Sequence, residues 1–561
     1  MQCEHAHNRI MRTTGVTIML GLGLLLFTIC AVRAAEDDTP AARQDPAPIQ
    51  ILPGDGMNLV IEEALTPHHL IVKLRPPAAH NWFSLQLTNL PTDQPVTIGF
   101  SMEGNNTAGN IADVKKWIGL SPVMTYGDPK RYEINEWFAK DAEGRWVSGD
   151  PLERGDARFA GDGPTPEQTV IPAEVAAEFL SKDGTYWQPW REIDEVEVLA
   201  NINIFRIRHH FARPTATIAM RVPFTYTYLQ QLIARLQAAQ LPGVFVDEIG
   251  TTVQGNKLQV IRIEDPDVST PLRIFGYEKS LHPNKIPIVW VDYTADKRVP
   301  DDQKVFLITA REHATEHASS HIVHGLLRML IGENEVSQAL RQHTTWLLIP
   351  IQDPDGSIVS SFDTMVDQFW QHSTNPVDNN PCPTEVLAYA NYLRAFVNSG
   401  RPIAASVSWH NVECNEGENV FAPFITVSDE ENTVLLNQQW FTALQDDGYL
   451  TGKASGNDRG YMRLRLYGWC GDVYRSMPIA YEVNDRLPGQ TLPLNRLENI
   501  GESFSRALWQ FYTAEAGKRH LTDLRLFLQQ RQQAIAQYYA SEHPIGTRDA
   551  PSIEEIMSYG F

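Results

Sequence analysis

Between residues 58 and 223 the chain shows short apolar runs at 70–74, 82–88, 96–100, 204–208 and 217–222, broken by turn residues. Alternation of apolar and polar positions over such short runs marks half-buried strands. Several of them, with no long helical pattern between, predict an antiparallel β-sandwich. Residues 155–174 are rich in Gly, Pro and Asp and predict a surface loop.

The pattern changes after Pro223. Residues 228–239 have helical spacing, and strands and helices then alternate: strands at 258–263, 286–291, 305–309, 346–349 and 404–409, helices at 318–330, 386–396 and 433–445. Such alternation predicts an α/β domain, with a mixed, mostly parallel sheet flanked by helices and an active site at the strand ends. Residues 494–512 and 521–539 read as two closing helices. In the second, Leu521, Leu524, Phe527, Leu528 and Ile535 form an apolar packing stripe. The divisions expected are a signal peptide at 1–34, a flexible leader at 35–57, a β-sandwich domain at 58–223, a catalytic domain at 224–515, and a C-terminal helix and tail at 516–561.

Composition adds three bounds. At 561 residues the chain is long enough for two or three domains. A net charge of -21 argues against a nucleic-acid partner. Arg9 and Arg12 precede an apolar run at 16–32, and Val32-Arg33-Ala34 offers small residues at a cleavage site. This predicts export to a periplasm or the outside, with no membrane association after cleavage and an uncleaved anchor as the alternative. Of five cysteines, Cys382, Cys414 and Cys470 lie beyond the signal and allow at most one disulfide, whose pairing stays open. Nothing in the pattern bears on oligomeric state.

The candidate chemistry centres on residues 305–320. A short apolar strand ends on Arg311, followed by His313-x-x-Glu316 and then a helix. Imidazole nitrogen and carboxylate oxygen suit zinc, and three protein ligands leave one position for water. Downstream, Ala404-Ala-Ser-Val-Ser-Trp-His410 ends an apolar strand on a third candidate ligand. Glu482 sits inside the apolar run Pro478-Ile-Ala-Tyr-Glu482-Val483, where a carboxylate is costly unless paired, protonated or near a metal, so it is the candidate general base. Between them, Asp353-Pro-Asp-Gly356 reads as a turn after a strand.

In this order, Arg-x-His-x-x-Glu, Asp-Pro-Asp-Gly, strand-end His and strand Glu, the chain resembles the zinc metallocarboxypeptidases. Asn81-Trp-Phe83, 120–126 and 222–229 resemble the β-domain and entry helix of the cytosolic carboxypeptidase branch, so the likeness runs over roughly 82–512. The resemblance implies one Zn²⁺ held by His313, Glu316 and His410, with Glu482 as catalytic carboxylate and a peptide or protein as substrate. Arg311 would stabilise the oxyanion or brace the loop. Tyr461 has about the spacing of a substrate-binding Tyr, with Tyr467 and Tyr474 as rivals.

One family feature is missing. The Asp-Leu-Asn-Arg motif that holds a terminal carboxylate has no counterpart: Asp378-Asn-Asn380-Pro381 keeps Asn380 but has Pro where Arg is expected. Arg463, Arg465 or Arg475 would have to replace it, and Arg475 is carried forward with Asn380 as a substrate-binding candidate. Three other readings remain open. An endopeptidase or amidase would act on substrates without a free carboxylate, such as cell-wall peptides. A non-catalytic protein would bind peptide or glycan on a degenerate hydrolase domain. Finally, His313-x-x-Glu316-His317 also fits an inverted zincin motif, with His313 and His317 as ligands.

Overall fold

The computed structural model describes most of residues 47–540. The main stretches outside the described residues are 1–46, 75–81, 102–116, 127–136, 150–190, 267–272, 278–288, 293–301, 361–383, 412–423, 450–464 and 541–561. The expected signal peptide, most of the expected leader and the loop at 155–174 fall there.

The first part forms two five-stranded sheets. One contains β1 (Gln50–Leu52), β4 (Ser84–Thr88), β6 (Val123–Thr125), β9 (Arg191–Glu192) and β12 (Thr215–Ala219), in the order β1-β4-β12-β6-β9. The other contains β2 (Leu59–Thr66), β3 (His69–Leu74), β5 (Val96–Ser101), β10 (Glu195–Leu199) and β11 (Ile204–His209), in the order β10-β11-β5-β3-β2. A separate hairpin joins β7 (Trp137–Lys140) and β8 (Trp146–Gly149). Aromatic residues of this part meet in its core. Phe83 packs on Phe100 at 4.5 Å and on Trp117 at 5.1 Å between ring centroids. Pairing is antiparallel, as expected, apart from β3 and β5, which run parallel.

The second part is built on a seven-stranded sheet. Its strands are β13 (Val244–Thr251), β14 (Lys257–Glu264), β17 (Lys304–Ala310), β18 (Thr344–Ile349), β19 (Ile403–Asn411), β20 (Phe424–Ile425) and β21 (Met477–Val483), in the order β13-β14-β18-β17-β19-β21-β20. Small two-stranded pairs join β15 (Arg273–Tyr277) to β16 (Val289–Asp292) and β22 (Arg486–Leu487) to β23 (Gln490–Thr491). The four central strands β18, β17, β19 and β21 are parallel and the outer pairs antiparallel. Strand β17 is buried along its whole length, which is why it reads as an unbroken apolar run. Its own side chains alternate between two cores: Phe306 and Ile308 face one side, Val305 and Leu307 the other.

Helices cover both faces. On the Phe306 side lie α1 (Tyr226–Ala239), α2 (His317–Ile331), α6 (Glu430–Asp446) and α8 (Leu494–Thr513). On the Val305 side lie α5 (Thr384–Asn398), α7 (Leu466–Tyr474) and part of α9 (Glu515–Ala540), through Phe527 and Leu528. The short helices are α3 (Glu335–Arg341) and α4 (Pro354–Val359). Asp353-Pro-Asp-Gly356, read as a turn, opens α4. The Asp353 carboxylate accepts from Gly356 N at 2.9 Å and Pro354 occupies the first turn, both helix-starting features. Cys470 is buried and unpaired, while Cys382 and Cys414 lie outside the described residues. Among the described residues no helix is long and apolar enough to cross a membrane.

Helix α2 carries the segment after the candidate metal motif, and its position is set by α8. The two cross at glycines. A methyl at Gly501 would collide with the carbonyl of Ile322, and one at Gly325 with the backbone of Glu498. Beside the crossing, the buried Glu498 accepts from Arg328 at 2.6 Å and lies 2.9 Å from His324 Nδ1. Because the obstruction is backbone on a packed helix, it has no rotamer by which to move. Gly501→Ala is therefore expected to destabilise the fold by about 1–3 kcal/mol or more through overpacking, read as a lower denaturation midpoint. An unchanged midpoint would show that the crossing is looser than this.

Candidate metal centre

Strand β17 ends at Ala310, α2 begins at His317, and the six residues between them hold the motif. Arg311 turns the chain with φ of 61°, a left-handed conformation that is uncommon outside glycine. The turn is fixed by its own side chain. The guanidinium donates to Ala314 O within the loop, to Phe224 O at 2.7 Å and to Ser357 Oγ at 2.7 Å. Arg311 is completely buried, and burial pushes its pKa down to about 9. With no surface open to the cleft, it acts as a brace, and the catalytic reading of Arg311 is corrected on this ground.

The loop and β19 bring His313, Glu316 and His410 together. One donor atom from each lies within 4.8 Å of the others, and all three residues are buried. His313 Nδ1 is 2.7 Å from Glu316 Oε1. His410 Nδ1 is 3.0 Å from Glu316 Oε2 and 3.3 Å from His313 Nδ1. Two ring nitrogens and a carboxylate thus converge on one point, with spacings near the roughly 3.4 Å expected between ligands each about 2.1 Å from a tetrahedral ion. This donor set fits zinc, and a bound dication would offset the repulsion between the two facing nitrogen lone pairs. Burial alone would raise the pKa of Glu316, but the two imidazoles hold it down to about 2. His410 behaves in the opposite sense: burial disfavours its charged form, yet Glu316, Glu312 and Glu482 together raise its pKa well above the ordinary range.

Glu482 stands directly across from His410 in the register of β19 and β21. It is half-buried and is the one charged residue in a strand whose other positions are mostly core, which is why its run reads as apolar. Two groups at the centre were not picked out from the sequence. Glu312 is fully buried, with Oε2 3.3 Å from His410 Nε2 and Oε1 3.8 Å from the buried Arg465. Ser408 Oγ is 3.0 Å from the same His410 nitrogen. Ser408 precedes His410 by two residues, so strand periodicity alone places both on one face. Nothing local in the sequence signalled Glu312, since its partners lie far along the chain.

His317, the second ligand of the inverted motif, points elsewhere. Its Nδ1 accepts from Phe224 N at 2.9 Å and its ring stacks on Trp82 at 3.7 Å. The inverted zincin reading is therefore excluded. Phe224 is consequently held on both sides, its N–H by His317 and its carbonyl by Arg311. The same corner takes in the N-terminal strand region. Trp82 Nε1 donates to Gly56 O at 3.0 Å, Ser360 Oγ donates to the same oxygen at 2.9 Å, and Gly56 N donates to Ile358 O at 3.0 Å.

The substrate-side candidates fare differently. Tyr461 and Asn380 lie outside the described residues, as does Arg463. The rivals Tyr467 and Tyr474 are buried in α7. Arg475 is corrected: it precedes β21 at the end of the strand opposite Glu482, and its guanidinium lies over the Phe527 ring at 4.5 Å. Arg465 faces Glu312.

Two histidine substitutions separate the roles. His410→Ala is expected to lower zinc affinity by at least about 100-fold, as loss of one of three protein ligands demands. His317→Ala is expected to keep one zinc per chain while lowering the melting temperature, since it removes a buried contact. Chelator competition and a thermal melt on both variants check this. Loss of zinc in the second and not the first would reverse the assignment.

Comparison with known proteins agrees with this geometry. Residues 229–412 match the family model described as zinc carboxypeptidase. Cytosolic carboxypeptidase 6 of Caenorhabditis elegans is 23% identical over 334 residues, covering 54% of this chain and 64% of that protein. Cytosolic carboxypeptidase 6 of Homo sapiens is 25% identical over 140 residues, covering 25% and 22%. The chain thus spans less than two thirds of the length of the curated relatives it matches. Among solved structures, the metallo-carboxypeptidase from Burkholderia cenocepacia aligns with a TM-score of 0.55 at 14% identity, over 83% of this chain and 99% of that one. The metallo-carboxypeptidase from Pseudomonas aeruginosa in complex with (2-guanidinoethylmercapto)succinic acid aligns with 0.54 at 14%, over 83% and 99%. The expected periplasmic or secreted location is contradicted by the curated relatives, which are cytosolic by name. Residues 229–412 thus resemble the zinc carboxypeptidases in sequence, and the chain has the metallocarboxypeptidase fold.

Proposed function

We propose that this protein is a zinc-dependent peptidase of carboxypeptidase type, with His313, Glu316 and His410 as ligands of one Zn²⁺ and Glu482 as general base. The observation that carries the proposal is the convergence of the three donors at the ends of β17 and β19, with Glu482 level with His410 on the next strand. The sandwich, at 58–223, and the catalytic part, at 224–515, are taken as its two domains, with 516–561 as a C-terminal appendage.

A zinc ion bound there would polarise the scissile carbonyl and acidify a water molecule. This chain's residues do the remainder. Glu482 takes one water proton and passes it to the leaving nitrogen, so that the amine departs neutral, and the water's second proton stays on the new carboxyl group until that group ionises to solvent. His313, Glu316 and His410 are held in place by the loop that Arg311 braces. The substrate is a peptide or protein. Cleavage at a substrate without a free C-terminal carboxylate is the second reading, favoured by one observation. Of the candidate arginines, the two among the described residues do not present themselves for a carboxylate: Arg465 faces Glu312 and Arg475 lies at the far end of its strand.

Glu482→Gln is expected to lower turnover about 10²–10⁴-fold while retaining one zinc per chain. Full activity in that variant would remove Glu482 from the mechanism. Zinc-loaded protein incubated with peptides bearing free or amidated C-termini, read by mass spectrometry, tests the reaction type. Single-residue loss from free ends alone supports a carboxypeptidase. Internal cuts, or equal cutting of amidated ends, support the second reading. No cleavage of any kind, in protein shown to hold zinc, would contradict both.

A further inference from the structure

We infer that Glu312 is a positioning residue for the third zinc ligand: it fixes His410 with Nδ1 turned to the metal position, and Arg465 holds Glu312 in place. The inference rests on the zinc reading above and concerns the same site.

A histidine binds a metal through one ring nitrogen only if the other carries the proton, so whatever accepts that proton sets the tautomer and the ring angle. In His410, Nδ1 faces Glu316 and His313, and Nε2 faces away from the convergence point toward Glu312 Oε2 at 3.3 Å and Ser408 Oγ at 3.0 Å. Ser408 can hold the ring but brings no charge. Glu312 brings a full negative charge to the back of the imidazole, which makes Nδ1 a stronger donor. Its cost is evident, because a carboxylate with no solvent exposure is expensive unless cationic groups face it. Arg465 supplies such a group at 3.8 Å, from the position that opens α7. The loop of the first two ligands, the strand of the third, and helix α7 are thereby joined through one side chain. The bland alternative is that Glu312 and Arg465 are only a buried ion pair that anchors α7.

Glu312→Gln preserves shape and an acceptor while removing the charge, and Glu312→Ala removes both. In full-length protein, zinc affinity by chelator competition is expected to fall about tenfold in the Gln variant and about 100-fold in the Ala variant. One zinc per chain is retained at saturation. The visible bands of the cobalt(II)-substituted protein are expected to shift in both, because the ligand field of His410 changes. A merely structural ion pair would lower the thermal melt of the metal-free protein and leave zinc affinity and the cobalt spectrum as in wild type, and that result overturns the inference. If Glu312→Ala does not fold, the nearly isosteric Gln variant decides. Wild-type protein that binds no zinc, or whose affinity His410→Ala leaves unchanged, instead overturns the zinc reading and this inference with it.

Discussion

The backbone of Phe224 is gripped from both sides by the loop that carries the metal ligands. Its N–H goes to His317 and its carbonyl to Arg311, and both partners are fully buried. Buried hydrogen bonds to a charged group are among the stronger ones, and each partner left alone would carry a desolvation cost. The chain where the sandwich gives way to the α/β part is therefore tied to the turn that aims His313 and Glu316. Trp82, stacked on His317 and bonded to Gly56, extends the grip into the sandwich. The β-domain in this view is part of the scaffold of the metal loop.

The sheet supplies the rest of the geometry. Strand β17 lies between β18 and β19, so the loop leaving its C-terminal end, which carries His313 and Glu316, comes out beside the end of β19 that carries His410. Parallel pairing then puts His410 and Glu482 side by side without any loop having to be ordered. Charges accumulate there: Glu312, Glu316 and Glu482 near two imidazoles. Such a group is stable only with cations present, which is what a metal and Arg465 provide.

Much of this was legible in the residues. Val305 to Thr309 reads as a buried strand because it is short, mostly apolar and rich in β-branched residues, and the strand-end position of His410 follows from the run before it. His313-x-x-Glu316 is weak by itself and gains weight from its downstream partners. What was not legible depends on long-range packing. Arg311 and His317 take their roles from Phe224, nearly a hundred residues earlier, and Glu312 from Arg465, far later. Arg475 was misplaced because an apolar run shows where a strand lies but not which end faces the cleft. Asp353-Pro-Asp-Gly356 satisfies the rules for a turn and for a helix start equally, and the strand before it could not decide between them.

Zinc K-edge X-ray absorption of the stoichiometrically loaded protein tests the central claim most directly. One zinc per chain with two imidazoles and carboxylate or water oxygens, at about 2.0–2.2 Å and with no sulfur shell, is the predicted result. A site with a single imidazole, with three, or with thiolate ligands would contradict the assignment of His313, Glu316 and His410.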